Sequence, residues 1–505
     1  MGRARRHHGF SEQWERFMRT HTPERRGLGT RRLGAVQIVF FVVAAAGPLY
    51  AIAGGVSATY AVTGSIGVPL SFVVLAPVLA LFAAGYAAMS RYITNAGAFY
   101  PYVAHGIGKS AGTGVAYVTV VAYSSIQLGI YGIFGLSVST WLGTLFGVHV
   151  PWWLIALLTV LVVGAAGVLR IDLNAKVLGV ALALEVAVLV VADAGMFAHP
   201  AGGHVSLTPL SPSSLFTAGV GAVFAFSIAV FLGFEGAATY GEECRDPSRT
   251  VGRATYIAIG LTAVLFVVSS LGMAVATGPD HIVERAVAEG PGLLFGLTGE
   301  HLGPVFSHVA YVLFLTSQCA AMLSFHNAVG RYFFALGRDG LLPVGFSRTS
   351  KRTGAPIGGS LVQTTIAFVV VAVFALAGRD PFTDLFTWTG VTASTGVTII
   401  MIAVSLSVVG FFRRHPGTET RWRRLIAPLL ATLALSVILV LIVAHFDVLL
   451  GPAGANPLLR WGLPGLLVLA GLVGFLRGES LRTLRPDVYA GIGGPVREVE
   501  ELMSR

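Results

Sequence analysis

Residues 33–60 read LGAVQIVFFVVAAAGPLYAIAGGVSATY, an apolar run with a helix breaker at its centre. The run exceeds the roughly 20 residues that a helix needs to cross a hydrocarbon core. Pro48 removes a backbone donor and clashes with the preceding turn, and each of Gly47, Gly54 and Gly55 lowers helix stability by about 1 kcal/mol. A second run, Leu215 to Tyr240, carries Phe231-Leu232-Gly233-Phe234-Glu235-Gly236 near its own far end. Neither run alternates with the period of two that a barrel strand requires. Only helices and closed barrels satisfy every backbone polar group in lipid, so both are read as interrupted membrane helices.

The rest of the chain repeats this character. Of 505 residues, 54% are apolar and 11% charged, against about a quarter charged in soluble domains. Twelve spans are predicted: Leu33 to Tyr60, Ile66 to Met89, Ala111 to Leu142, Trp152 to Leu169, Leu173 to Phe197, Leu215 to Tyr240, Ala254 to Ala276, Pro304 to Leu336, Ile357 to Ala377, Leu385 to Phe412, Leu425 to Val448 and Trp461 to Leu476. The fold class is thus an all-α polytopic membrane protein. A basic tail, 1–32, precedes a core of ten spans, 33–412; two further helices, 413–476, and a tail, 477–505, follow.

Charge orients the chain. With the N-terminus inside, only Arg285, Arg379 and Arg460 of the 34 Lys and Arg fall on the outer side, a positive-inside pattern that puts both termini in the cytoplasm of a cell membrane. The net charge of +10 therefore reports orientation and contact with the bilayer, and a nucleic-acid partner is excluded. Leu33 to Ala46 mimics a cleavable signal, but the apolar run resumes to Tyr60 and the charge pattern needs this span retained. Cys244 and Cys319 suggest neither a disulfide nor a metal site. No P-loop or dinucleotide fingerprint is present, so no cofactor is expected. Uphill movement of a solute would have to draw on an ion, H⁺ or Na⁺, or on exchange.

The two interrupted spans are five apart. A repeat of five spans must be inverted in the membrane, and matching breaks in inverted halves point to a midplane binding site. Half-helix N-termini there attract carboxylate, and freed carbonyls attract ammonium or a cation. Packing and kinking by Gly and Pro is the plainer explanation of the same residues.

Three carboxyls lie within spans: Glu185, Asp193 and Glu235. Intramembrane carboxyls are costly and face a cavity or a partner. Asp193 lies near the outer end of span 5, where it can reach water. Gln127, as a buried amide, bonds either a substrate or a neighbouring helix, and His326 reads as satisfied structure more readily than as a proton relay.

Four stretches carry a resemblance: Asn95-Ala96-Gly97-Ala98-Phe99-Tyr100-Pro101-Tyr102-Val103; Gly233-Phe234-Glu235 with Glu242-Glu243; Pro247-Ser248-Arg249 through Arg253-Ala254; and Arg331 to Pro343 with Arg338-Asp339-Gly340. In this order they resemble the amino acid/polyamine/organocation transporter superfamily, from about Gly34 to Arg414. The resemblance implies a five-plus-five inverted-repeat, LeuT-like core with helices 1 and 6 broken. It departs at Gly252, where relatives carry Pro, and at Ala229, where many carry an aromatic gate. Carried onto these positions, the substrate site comprises Gly47, Pro48, Leu49, Tyr50, Gly54 and Gly55 of span 1, Gln127 of span 3, and Phe226, Ala229, Phe231, Gly233 and Glu235 of span 6. Many relatives place a lysine where this chain has Glu185, between helices 1, 5 and 8, in place of a sodium ion. Glu185 is therefore expected to carry a proton or bind Na⁺, with Ser324 beside it, or else to bond a neighbouring helix structurally. Glu235 either edges the cavity or holds the break in span 6 open.

The implied function is a secondary transporter of amino acids, ion-coupled or exchanging. With no Lys or Arg at any span centre, a substrate carboxylate is expected to meet backbone N–H groups at the break in span 1. A polyamine or simple amine carrier is the alternative, and a transporter-like sensor or channel a remoter one. No cluster suggests an enzyme. The small-molecule substrate's identity and the oligomeric state stay open.

Overall fold

A computed structural model describes residues 35–93, 99–169, 175–234, 247–350, 354–415 and 419–494. Among these residues the chain forms helices and no strand. Leaving aside the 3-10 and π stretches and the four-residue helices Pro212–Leu215 and Phe446–Leu449, the elements are α1 (Ala35–Ala46), α2 (Pro48–Tyr50), α3 (Ser57–Thr63), α4 (Val68–Met89), α5 (Phe99–Gly106), α6 (Lys109–Phe146), α7 (Trp152–Leu169), α8 (Ala175–Ala198) and α9 (Val220–Phe231). They continue with α10 (Pro247–Thr277), α11 (Ile282–Glu289), α12 (Leu293–Leu302), α13 (Pro304–Arg338), α14 (Ile357–Leu376), α15 (Thr387–Arg414), α16 (Ala427–Ala444), α17 (Pro457–Leu484) and α18 (Pro486–Gly491).

Eleven helical stretches among the described residues are long and apolar enough to cross a membrane. The shorter apolar helix α9 stands where the sixth span is predicted. The rest of that span, from Glu235 onward, lies outside the described residues, as do Glu242 and Glu243.

The contacts sort the helices into two groups. In the first, α10 packs on α1 and α4, and α9 packs on α4 and on the π-helical stretch Ala51–Val56. In the second, α6 and α13 pack together, α14 lies against α7 and α13, and α7 against α6. Helix α8 touches members of both, α1 and α10 on one side and α13 on the other. Since lipid tails are as apolar as Leu, close approach of backbones must supply the packing. The seam of α17 on α6 shows how: a Cβ on Gly474 would stand 2.6 Å from the Thr113 carbonyl oxygen, and one on Gly478 2.7 Å from Ser110 Cα.

Helix α17 continues through the predicted boundary at 476/477 to Leu484. Beyond it, α18 and residues 492–494 fold back onto the end of the bundle that carries α5. Ile492 is fully buried in a cluster with Tyr100, Ala104, Leu336, Leu341 and Leu481. The Lys109 ammonium donates to the Ala490 carbonyl, His105 Nε2 lies 3.1 Å from the Gly494 carbonyl, and Tyr489 and Ser110 share a hydroxyl contact.

Candidate functional site

The site starts at the break in the first span. Gly47 has φ +53, a left-handed conformation that costs an L-residue about 1–2 kcal/mol. A Cβ there would also stand 3.1 Å from Ser317 Oγ. The break is short: the Gly47 N–H still reaches the Val43 and Ala44 carbonyls, and Ala51 N–H donates to the Gly47 carbonyl at 2.7 Å. Helical geometry resumes at Pro48 and widens to a π-helix over Ala51–Val56. Such π-bulges occur often at functional sites.

The break leaves donors without an intrahelical partner. One of them, Leu49 N–H, donates to Glu185 Oε2 at 3.5 Å, the long end of the range, and Ser317 Oγ donates to the same oxygen at 2.8 Å. Glu185 is 5% exposed. The carboxyl thus joins α2, α8 and α13, the three helices expected at the ion position. The hydroxyl beside it is Ser317; Ser324 is seven residues further along α13, about 10 Å along the axis. Asp193, on the same helix as Glu185, is also buried and accepts from Ser269 Oγ of α10 at 2.9 Å.

Beside this junction is a narrow cavity of about 20 Å³. Ala46, Tyr50, Ala51 and Gly55 line it from the first span, and Phe226, Ala229, Val230 and Leu232 from α9 and its end. Ile126 of α6, Phe325 of α13, and Phe386 and Gly390 from the start of α15 complete the wall. Tyr50 and Phe386 meet edge to face, with ring centroids 6.2 Å apart. The narrowness has a local cause: Gly55 admits Val230, whose Cγ2 lies 2.5 Å from where a Cβ would be.

Of the residues predicted for the site, Tyr50, Gly55, Phe226 and Ala229 line the cavity. Gly47, Pro48 and Leu49 form the junction with Glu185 and Ser317 beneath it. Gly54 packs against Ile133 of α6 and Phe386. Phe231 packs away from the cavity, on Phe72 and Phe266 at 5.8 and 5.2 Å. Gly233, φ +117, follows the end of α9, where Leu232 turns extended. Glu235 lies outside the described residues.

Gln127 is fully buried but belongs to a different cluster. Its amide nitrogen reaches Tyr131 Oη at 2.8 Å and His326 Nδ1 at 3.2 Å, and its oxygen accepts from Gln363 at 2.7 Å. His326 Nε2 meets Ser360 Oγ at 2.7 Å, and Ser124 donates to Gln363 at 2.8 Å. The helix-to-helix bond weighed for Gln127 is therefore the arrangement present, and its neighbour Ile126 faces the cavity instead. Ile126, Phe325, Phe386 and Gly390 were not anticipated, because apolar residues and glycine within apolar spans carry no local sign of facing a cavity. Among the described residues no group of three or more His, Cys, Asp or Glu is placed to hold a metal.

Comparison with known proteins bears on this geometry. A family model described as "Amino acid permease" matches residues 33–472. The branched-chain amino acid permease BcaP of Lactococcus lactis subsp. cremoris is 25% identical over 388 residues, 73% of this chain and 78% of that protein. The vacuolar cationic amino acid transporter 4 of Arabidopsis thaliana is 31% identical over 172 residues, 32% of this chain; the match spans only 26% of that relative's length. Among solved structures, MhsT in complex with L-phenylalanine aligns with a TM-score of 0.54 at 15% identity, over 80% of this chain and 98% of that one, a likeness of fold. The eleven apolar helices and the family match over most of the sequence establish the chain as a multi-pass membrane protein of the amino acid permease family.

Proposed function

We propose that this protein is a secondary transporter that carries amino acids across the cell membrane, with Glu185 as the group that couples an ion to their movement. The observation that carries the proposal is the junction of Leu49 N–H and Ser317 Oγ on one oxygen of Glu185, beside the substrate cavity. Both bonds fall on Oε2, and no hydrogen bond of the described residues reaches Oε1. An unpaired carboxylate at this depth carries a large desolvation cost, so a proton or Na⁺ accompanies it at rest. Gain or loss of that cation changes the hold on Leu49, and the next residue, Tyr50, lines the cavity. The substrate thereby senses the ion through one backbone step.

The cavity wall favours a substrate whose side chain is apolar. Ile126, Phe226, Val230, Leu232, Phe325 and Phe386 supply it, and the similarity to BcaP, a branched-chain amino acid permease, agrees with that choice. In this conformation the cavity is too tight for such a ligand, so binding requires its walls to part.

The test is uptake by proteoliposomes over a panel of amino acids and amines, with pH and Na⁺ gradients imposed separately. Uptake of apolar amino acids should follow one of the two gradients. Ala229→Trp, which fills the site, should weaken every transported substrate at least about tenfold. Unchanged affinity for all of them would contradict the placement, and strong displacement by anions lacking an amine would contradict the substrate class. Both termini are proposed to be cytoplasmic, so tags at either end should be reached only after permeabilisation.

A further inference from the structure

A second hollow, of about 510 Å³, lies where α16 gives way to α17, and it shares no lining residue with the substrate cavity. Its volume falls within the roughly 300–1,000 Å³ of pockets that take small molecules. The short helix Phe446–Leu449, the turn Gly451–Ala455 and the start of α17 form its wall. That wall is closely built: a Cβ on Gly454 would collide with the Asp447 carbonyl, so the turn and the short helix meet backbone to backbone.

Two opposite charges line this hollow, and both keep free hydrogen-bonding capacity. Arg460 Nη2 lies 3.6 Å from Asp447 Oδ1, too far for a hydrogen bond. Arg460 Nε is buried without a partner. The guanidinium stands over the Trp461 ring, 5.4 Å from its centroid, which keeps it at the rim. Arg285, also on the outer side by the charge pattern, is spent differently: it donates to Glu289 and to both carboxylate oxygens of Glu300. A loose, part-exposed ion pair contributes little stability by itself, whereas a buried guanidinium N–H without an acceptor is costly. The pair therefore suits a ligand that carries both charges, an anion for Arg460 and an ammonium for Asp447.

The surroundings say where that ligand comes from. Trp461 is more than half exposed at the rim, the placement of an aromatic at a membrane–water interface. From it a stripe descends α17 through Gly465, Val468, Leu472 and Leu476, at the spacing of one helix face. The last three are each more than half exposed, and nothing lies within 4 Å of where a Cβ on Gly465 would be. A soluble zwitterion would fill the hollow and leave this apolar track bare, whereas a lipid covers both. We propose that the hollow binds an outer-leaflet phospholipid whose headgroup carries a primary ammonium. Its phosphate accepts from the Arg460 guanidinium, the geometry in which Arg binds phosphate best. Its ammonium donates to Asp447, and one acyl chain lies along the track from Gly465 to Leu476.

The experiment titrates the full-length protein, purified in detergent, with three dioleoyl lipids and counts bound molecules by native mass spectrometry. Phosphatidylethanolamine offers both charges, phosphatidylglycerol has no ammonium, and the quaternary ammonium of phosphatidylcholine has no N–H to donate. One phosphatidylethanolamine should be held about tenfold or more tighter than either of the others. Equal retention of the three by the wild type overturns the proposal, and this arm needs no variant to fold. Asp447→Asn should remove the preference over phosphatidylglycerol, and Arg460→Gln should lose that bound lipid altogether. A folded Arg460→Gln protein that keeps the wild-type preference overturns the proposal. Two competitors test the source: glycerophosphoethanolamine, the headgroup without its chains, and L-leucine. Displacement of the lipid by either at equal concentration would assign the hollow to a soluble zwitterion and overturn the lipid reading. A dimer that retains no phosphatidylethanolamine would give the track to a second copy of the chain, with the same consequence.

Discussion

Two buried polar clusters hang on α13, and they differ in how completely they are satisfied and in what they join. The cluster of Gln127, Gln363, His326, Ser360 and Ser124 is closed. Gln127 Nε2 lies 3.2 Å from His326 Nδ1 and His326 Nε2 lies 2.7 Å from Ser360 Oγ, so both ring nitrogens are engaged. All its members lie on α6, α13 and α14, inside one packing group. The cluster at Glu185 is open. It has two bonds on one oxygen, and it joins α2, α8 and α13, with α2 also lying directly against α13. A closed network within one body rigidifies it. An open one between two bodies can exchange a proton or a cation as the bodies move. The same helix therefore holds a fixed frame together at one depth and offers a release point at another.

The largest expected effect is at the release point. Glu185→Gln keeps size and hydrogen bonding but removes titration. It should abolish accumulation against a gradient while exchange of substrate across the same vesicles persists. A correctly inserted variant that still concentrates substrate with unchanged ion dependence would reduce Glu185 to a structural hydrogen bond. Next comes Gly47→Ala. The positive φ strains any side chain there, and the methyl group would press to 3.1 Å on Ser317 Oγ and push it off its place, so uptake should fall about tenfold or more. Normal uptake by this variant would show that the break is not needed in its present shape.

The frame should respond differently. Gln363→Leu strands the Gln127 oxygen and the Ser124 hydroxyl, which costs about 1–3 kcal/mol. The expected outcome is a lowered apparent Tm with substrate affinity and ion dependence intact. A shift in ion dependence would erase the distinction between the clusters. The smallest effect separates two serines of one helix face: Ser317→Ala should alter the ion dependence of uptake, and Ser324→Ala should leave it within error.

That last pair also shows what could be read in the sequence. The apolar runs, the Gly-Pro break and the isolated carboxyl of Glu185 are strong local signals, because each is expensive in lipid unless it has a purpose. Which side chain meets Glu185 is not a local property. Ser317 and Ser324 are seven residues apart, about 20° from the same face of a helix, so periodicity cannot choose between them; only the depth at which α13 passes Gly47 does. Gln127 and Ile126 differ by 100° of rotation, and again packing, not composition, decided which faces the cavity.

The folded-back terminus has a consequence for how the molecule is made. His105 and Lys109 bind the Gly494 and Ala490 carbonyls across 389 and 381 residues of sequence. During translation the early segment 99–110 is inserted long before its clasp exists. Its apolar cluster, with Tyr100 and Leu336 awaiting Ile492, stays incomplete until that residue has been made. Chains that stop before Pro486 therefore leave Tyr100, Ala104, Leu336 and Leu341 without Ile492 and expose apolar surface at that end of the bundle.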